Sequence, residues 1–316
     1  MLKRMSIRKI AITTISLVAF LMVYLMPNND LKKEEHLEYV NKDVETSPVY
    51  LLNSNNYLTR NLVAISSKTI EQKALELLEV LIIEGSGESK IPSGFRSVIP
   101  SDTEILSIKY DHNVLKVDFS ESLLNVSKEN EEKVIEAIVY TLTSIDDVDE
   151  IIIYINGKIL TNLPKSKINL PSTLNKNFGI NKEYNLTSLK NINQVTIYYI
   201  SKFNDNVYYV PVTKYLNSDR EKIEIIIDEL TTHTLLQTNL MSYLNSNTEL
   251  LKTSNENGIL NLTFNNYIFD DLNEENILEE VLYTICLSIN NNYDLDEVIF
   301  NVDKEKVYTK VLKEIK

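Results

Sequence analysis

Apolar and polar positions change rhythm along this chain in an order that occurs twice. Residues 10–26 (IAITTISLVAFLMVYLM) are an unbroken apolar and small-hydroxyl run. After a polar stretch, two short β-like segments rich in Val, Leu and Tyr lie at 49–52 and 57–64. Ile70, Ala74, Leu77, Leu78 and Leu81 then recur with helical spacing and predict one apolar helix face. Leu115, Val117 and Phe119 alternate with Lys116, Asp118 and Ser120, the period-two signature of a half-buried strand. Ile135, Ile138, Leu142 and Ile145 share a second helix face, and residues 151–155 are apolar throughout, as in a central strand.

The second half repeats this order. It has β-like segments at 195–203 and 207–213, then a helix face of Ile223, Ile226, Ile227 and Leu230. Leu260, Leu262 and Phe264 alternate with polar residues, Leu278, Val281, Leu282 and Ile285 form a helix face, and a strand follows at 298–302. The correspondence extends to residue identity. IPSDTEIL at 99–106 matches LNSNTELL at 244–251, and VLKVDFS at 114–120 matches ILNLTFN at 259–265 at the same offset. IVYTL at 138–142 matches VLYTI at 281–285, and VDEI at 148–151 matches LDEV at 295–298. An internal repeat resets the fold question.

Each copy therefore reads as an α+β module: strands, helix, hairpin, helix, strand, with two helices expected on one face of a mixed sheet. The hairpin turns are Asp111-His112-Asn113 and Glu256-Asn257-Gly258, and Asn-Gly is a strong turn signal. Ser218 and Glu221 have the spacing of a capping box. The resulting organisation is a basic cytoplasmic stub at 1–9, a transmembrane anchor at 10–26 and a stalk at 27–47. The first module spans 48–164, a linker 165–193 and the second module 194–316.

As a helix, residues 10–26 would reach about 26 Å, short but workable against a ~30 Å hydrocarbon core. Lys3, Arg4, Arg8 and Lys9 precede the run and place it in the positive-inside orientation, with the bulk of the chain outside. The rival is a cleaved signal peptide, against which stands the absence of a small-x-small cleavage pattern after the run.

The net charge of -13 over 316 residues disfavours nucleic acid and broad contact with anionic lipid, and suits solubility or a basic protein partner. Cys286 is the lone cysteine, so the chain can form neither an intrachain disulfide nor a cysteine-based metal cluster. It falls among apolar helix positions and reads as a small buried hydrophobe. His36 reads as a stalk residue, His112 as a solvated turn residue, and His233 follows a helix. Asp146, Asp147, Asp149 and Glu150 form a carboxylate cluster. It is open to a glycosidase-pair or cation-site reading, or to the plainer one of a polar turn. Gly-rich phosphate loops and nucleophile elbows are lacking. Tyr50, Tyr57, Tyr198, Tyr199, Tyr208, Tyr209 and Tyr215 gather near the start of each copy, where Tyr serves strands and interfaces alike.

A set of motifs resembles the GerM domain of bacterial sporulation and germination proteins. In the first copy these are SGFRSVIPSDT at 93–103, VDFS at 117–120, IVYTL at 138–142, VDEI at 148–151 and INGK at 155–158. The motif residues are Ser93, Gly94, Ile99, Pro100, Thr103, Val117, Asp118, Phe119, Ser120, Asn156, Gly157 and Lys158. Asp102 stands where the family usually has glycine, and the second copy keeps the pattern while losing several motif residues. The resemblance implies a ring-building-like fold and a non-enzymatic, extracytoplasmic role without cofactor or metal. Its partners would be other membrane or sporulation-complex proteins, or further copies of itself, in the space between mother cell and forespore. Family members are often lipoproteins, whereas this chain has no cysteine there to accept a lipid and carries an apolar run instead. The competing function classes are an enzyme or accessory acting on cell-wall glycan, and a small-ligand binder with a cleft between the modules.

Overall fold

The computed structural model describes residues 45–204, 206–232, 239–270, 276–303 and 305–312. The expected anchor at 10–26, most of the stalk, His36 and His233 lie outside them. Among the described residues, no helix is long and apolar enough to cross a membrane.

The first copy begins with the hairpin β1 (Thr46–Leu52) and β2 (Leu58–Ala64), so Thr46 and Ser47, assigned above to the stalk, belong to a strand. Helix α1 (Ile70–Leu81) follows; the Thr69 side chain caps it by accepting from the Gln72 N–H. A second hairpin, β3 (Ile105–Asp111) and β4 (Val114–Phe119), leads into α2 (Glu131–Leu142), then β5 (Glu150–Ile155) and the short β6 (Lys158–Ile159). β4 and β5 are parallel and α2 is their crossover, giving a four-stranded sheet in the order β3-β4-β5-β6.

After the short strand β7 (Glu183–Asn185), the second copy repeats the plan. It consists of a long hairpin of β8 (Ile192–Phe203) and β9 (Asn206–Asn217), helix α3 (Lys222–Thr232), hairpin β10 (Leu250–Glu256) and β11 (Ile259–Phe264), helix α4 (Glu279–Asn292), and strands β12 (Glu297–Val302) and β13 (Glu305–Val311). Its second sheet has the order β10-β11-β12-β13, again with one parallel pair between antiparallel ones.

The strands of one copy do not form the single sheet expected from sequence. The opening hairpins pack on their own copy's helices but pair across the copies, β2 running antiparallel to β9, in a five-stranded sheet that also takes in β7 and β8. α2 is correspondingly buried nearly all round, from Val134 through Leu142, as is α4 from Thr284 to Ile289. Burial on every side places these helices between layers rather than on one open face. In α2 the buried positions between the periodic apolar ones include Ala137, Val139 and Tyr140, which a one-face reading passes over.

Equivalent hydrogen bonds fix how the copies superimpose. Leu52 and Arg96 exchange backbone bonds in the first copy, as Ile200 and Met241 do in the second. The Tyr50 N–H donates to Thr141 Oγ1 (3.1 Å) and the Tyr198 N–H to Ser288 Oγ (2.9 Å). Thr141 is thus the counterpart of Ser288, not of Thr284 as the motif match implied. The helical match was displaced by four residues, close to the 3.6-residue turn, so the apolar face was preserved and the pattern could not reveal the slip. The expected Ser218–Glu221 capping box is also not formed. Ser218 Oγ accepts from the Arg220 N–H, and α3 starts later, at Lys222.

Candidate site at the junction of the two copies

Of the tyrosines gathered at the start of each copy, Tyr50, Tyr57, Tyr198 and Tyr208 meet the other copy within the chain. Tyr50 and Tyr198 occupy equivalent positions, and their buried hydroxyls hydrogen-bond to each other at 2.9 Å. Like positions therefore meet, as they do across a two-fold dimer axis. Tyr140 packs edge-on against Tyr50 at 5.3 Å. Burial raises the pKa of both Tyr140 and Tyr198, keeping these phenols neutral. Tyr208 packs edge-on against Phe95, whereas Tyr209 stacks on Tyr283 and Tyr215 on Tyr184; Tyr57 packs on the second core and Tyr199 donates to Glu229.

The segment between the copies closes this junction. β2 pairs with β9 through Arg60 and Tyr209, and continuing that register sets Leu58 opposite Pro211. Proline has no N–H to donate to a ladder. The Asn181 side chain fills the gap: its Oδ1 accepts from the Leu58 N–H (2.9 Å), and its Nδ2 donates to the carbonyls of Leu58 and Pro211 (both 2.8 Å). Asn181 sits at φ 47°, a left-handed conformation that asparagine tolerates well. Three carboxylates of α2 hold the same segment. Glu131 accepts from the N–H groups of Lys165 and Ser166, Glu132 pairs with Lys182 at 2.7 Å, and buried Glu136 accepts from the Asn181 N–H at 3.0 Å. Burial pushes the Glu136 carboxyl up to about 7 against the opposing pull of Lys182.

A cleft of about 860 Å³ opens beside the tyrosine pair. Arg60, Lys176, Tyr50, Tyr198 and Asn291 line its interior, and Glu45, Asp146, Asp147 and Asp149 its exposed side. The carboxylate cluster is thus divided. Asp146, Asp147 and Asp149 reach the mouth, whereas Glu150 opens β5 outside it. Asp149 braces the first hairpin, accepting from Asn113 Nδ2 at 2.9 Å while its N–H donates to the Asn113 carbonyl. Asp296 and Glu297 make the matching backbone bonds to the Gly258 carbonyl, so these repeated acidic pairs anchor turns. Gly258 is required there, because a Cβ would come within 2.8 Å of Asp296 Oδ2 and φ is +80°.

His112 lies in the hairpin turn with its side chain 93% exposed, beside Asp111. Cys286 is buried in the second core, which pushes its thiol up to about 12. Among the described residues, no group of three His, Cys, Asp or Glu side chains is placed to hold a metal ion.

The profile of the Germane family, described as sporulation and spore germination, matches residues 48–161 and again 196–308. The chain belongs to this family. It is 31% identical over 261 residues to the spore germination protein GerM of Bacillus subtilis (strain 168), covering 81% of this chain and 70% of that one. The solved tandem GerMN domains of the sporulation protein GerM from Bacillus subtilis match with a TM-score of 0.76 and 28% identity, over 83% of this chain and 92% of theirs.

The motif residues of the first GerM module are spread over several turns and the core rather than gathered at one site. Gly94 has φ +90°, and a Cβ there would meet the ring of Phe203 at 2.5 Å, so the Ser93–Gly94 turn abuts the second copy. Ile99 is buried and its N–H donates to the Leu81 carbonyl; Thr103 closes a turn on Pro100. Val117 and Phe119 are core residues, while Asp118 Oδ1 accepts from the Gly157 N–H at 3.0 Å, tying strand β4 to the Asn156–Gly157 turn before Lys158. Ser120 Oγ accepts from the Glu104 N–H, and in the second copy Asn265 Oδ1 does the same for Glu249.

Arg60, Lys176, Asn181 and Asn291, which shape the junction, carried no motif. The available signal was Arg60 itself, a cation inside a strand-like run whose register with β9 was unknown.

Proposed function

We propose that the chain is a non-catalytic assembly protein of sporulation and spore germination. It is held to the membrane by residues 10–26, with its tandem GerM modules on the extracytoplasmic side, and acts by contact with other membrane or sporulation proteins or with further copies of itself. The observation that carries this reading is a matched pair of features on edge strands. β3 and β10 end their sheets, and each has a β-bulge, at Leu106 and Leu251, that leaves these leucines 47% and 57% exposed. Edge strands are where sheets recruit other chains, and bulges there re-aim side chains. Repetition of an exposed leucine on both copies argues for a contact role over an accident of packing. Kinship to a spore germination protein supports a role in spore formation or revival.

The test is capture from sporulating cells with a tagged full chain, compared with a Leu106→Asp/Leu251→Asp variant. Expected are co-captured membrane proteins or self-association, lost in the variant while circular dichroism is unchanged. A chain that stays monomeric and retains no sporulation membrane protein refutes the reading.

A further inference from the structure

Two positive charges line the junction cleft, and among the described residues no counter-charge is bonded to either. Arg60 is 7% exposed, lines the cleft, and its guanidinium makes no hydrogen bond or ion pair with any described residue. The Lys176 ammonium is likewise unpaired among the described residues and faces the same cleft. Like charges brought together away from water disfavour the folded state unless an anion joins them. Burial, with Arg60 adding to it, pushes the Lys176 ammonium down to about 8.

The rest of the lining mixes apolar side chains such as Ile65, Ile145 and Leu287 with polar groups. The Tyr50 and Tyr198 hydroxyls share one hydrogen bond, leaving one proton to donate elsewhere. Asn291 Oδ1 is buried with no hydrogen-bond partner among the described residues, an acceptor available to a ligand N–H. At the mouth, exposed Asp146 and Asp147 repel multiply charged anions and attract cations.

We propose that the junction cleft binds a small zwitterionic ligand. Its oxyanion group would sit between Arg60 and Lys176 and its cationic group would point toward Asp146 and Asp147. A guanidinium offers an oxyanion two parallel N–H donors, and a cleft of about 860 Å³ is within the range of small-molecule sites. The site is separate from the bulged edges and does not depend on the assembly role.

Isothermal titration calorimetry of the full chain at constant ionic strength, with glycylglycine, acetate and inorganic phosphate as probes, tests this. Expected is saturable one-to-one binding of glycylglycine, at least about tenfold tighter than acetate or phosphate and weakened at least about tenfold by Lys176→Gln and by Arg60→Gln. Lys176→Gln leaves untouched the backbone carbonyl that accepts from the Tyr140 hydroxyl, so it tests the site even if the buried Arg60 variant misfolds by circular dichroism. Three results overturn the proposal: no saturable heat from glycylglycine, phosphate or acetate binding as tightly as glycylglycine, or affinity unchanged in a folded Lys176→Gln chain.

Discussion

Replacement of Asn181 by alanine tests whether one side chain completes the sheet that joins the modules. Three hydrogen bonds would be lost, one from the Leu58 N–H and two to the carbonyls of Leu58 and Pro211. At about 1 kcal/mol each, these contribute roughly 3 kcal/mol. Alanine at φ 47° adds about 1 kcal/mol or more of backbone strain. The expected loss is therefore about 4 kcal/mol, large for a single substitution. Urea titration of the full chain followed by tyrosine fluorescence measures it, since the sequence has 18 tyrosines and no tryptophan. Amide exchange supplies the local readout. The Leu58 N–H should exchange much faster in the variant, whereas that of Leu115, in the first copy's own sheet, should change less. A loss below about 1 kcal/mol, or equal acceleration at both amides, would refute the assignment of Asn181 as the replacement for the bond Pro211 cannot make.

Three further outcomes follow from the same geometry. A double-mutant cycle of Tyr50→Phe and Tyr198→Phe should give a coupling of about 1 kcal/mol, and additive single effects would deny that the 2.9 Å hydroxyl pair stabilises the junction. Glu136 is raised to about 7 in the folded chain from the ordinary 4.5, so the native state binds its proton more tightly. Stability should fall as pH rises from about 4.5 to 7, and Glu136→Gln should remove that slope from urea midpoints across the window. Glu76 shifts the other way. Burial raises it, but hydrogen bonds from Lys90, Ser66 and Ser67 together hold it at about 2, so its contribution is present above pH 4.5 and lost as pH falls toward 2. Glu76→Gln should flatten that acid arm, and an unchanged profile would count against the Lys90 pairing.

Much of each module could be read from local patterns. Alternation at Leu115, Val117 and Phe119 located β4, and the His112-Asn113 and Asn257-Gly258 turns proved to be pairs of positive-φ residues, as two-residue hairpin turns require. The helix match failed by one turn, because residues four apart share a face. Ser93–Gly94 could be recognised as a family turn, but nothing nearby in sequence revealed that Phe203 of the other copy packs against it. The junction site was less legible still. Arg60 and Lys176 are far apart in sequence, and the Tyr50–Tyr198 pair links equivalent positions of the two copies.

Element order, duplication and the faces of most strands and helices are consequences of short-range periodicity, which depends only on neighbours along the chain. The sheet shared by the copies, the burial of α2 and α4 on all sides, and the cleft lined by Arg60 and Lys176 depend on pairings between distant segments. Those pairings rest on backbone hydrogen bonds, which carry no residue signature, and on single polar side chains such as Asn181 whose partners exist only once the chain has folded.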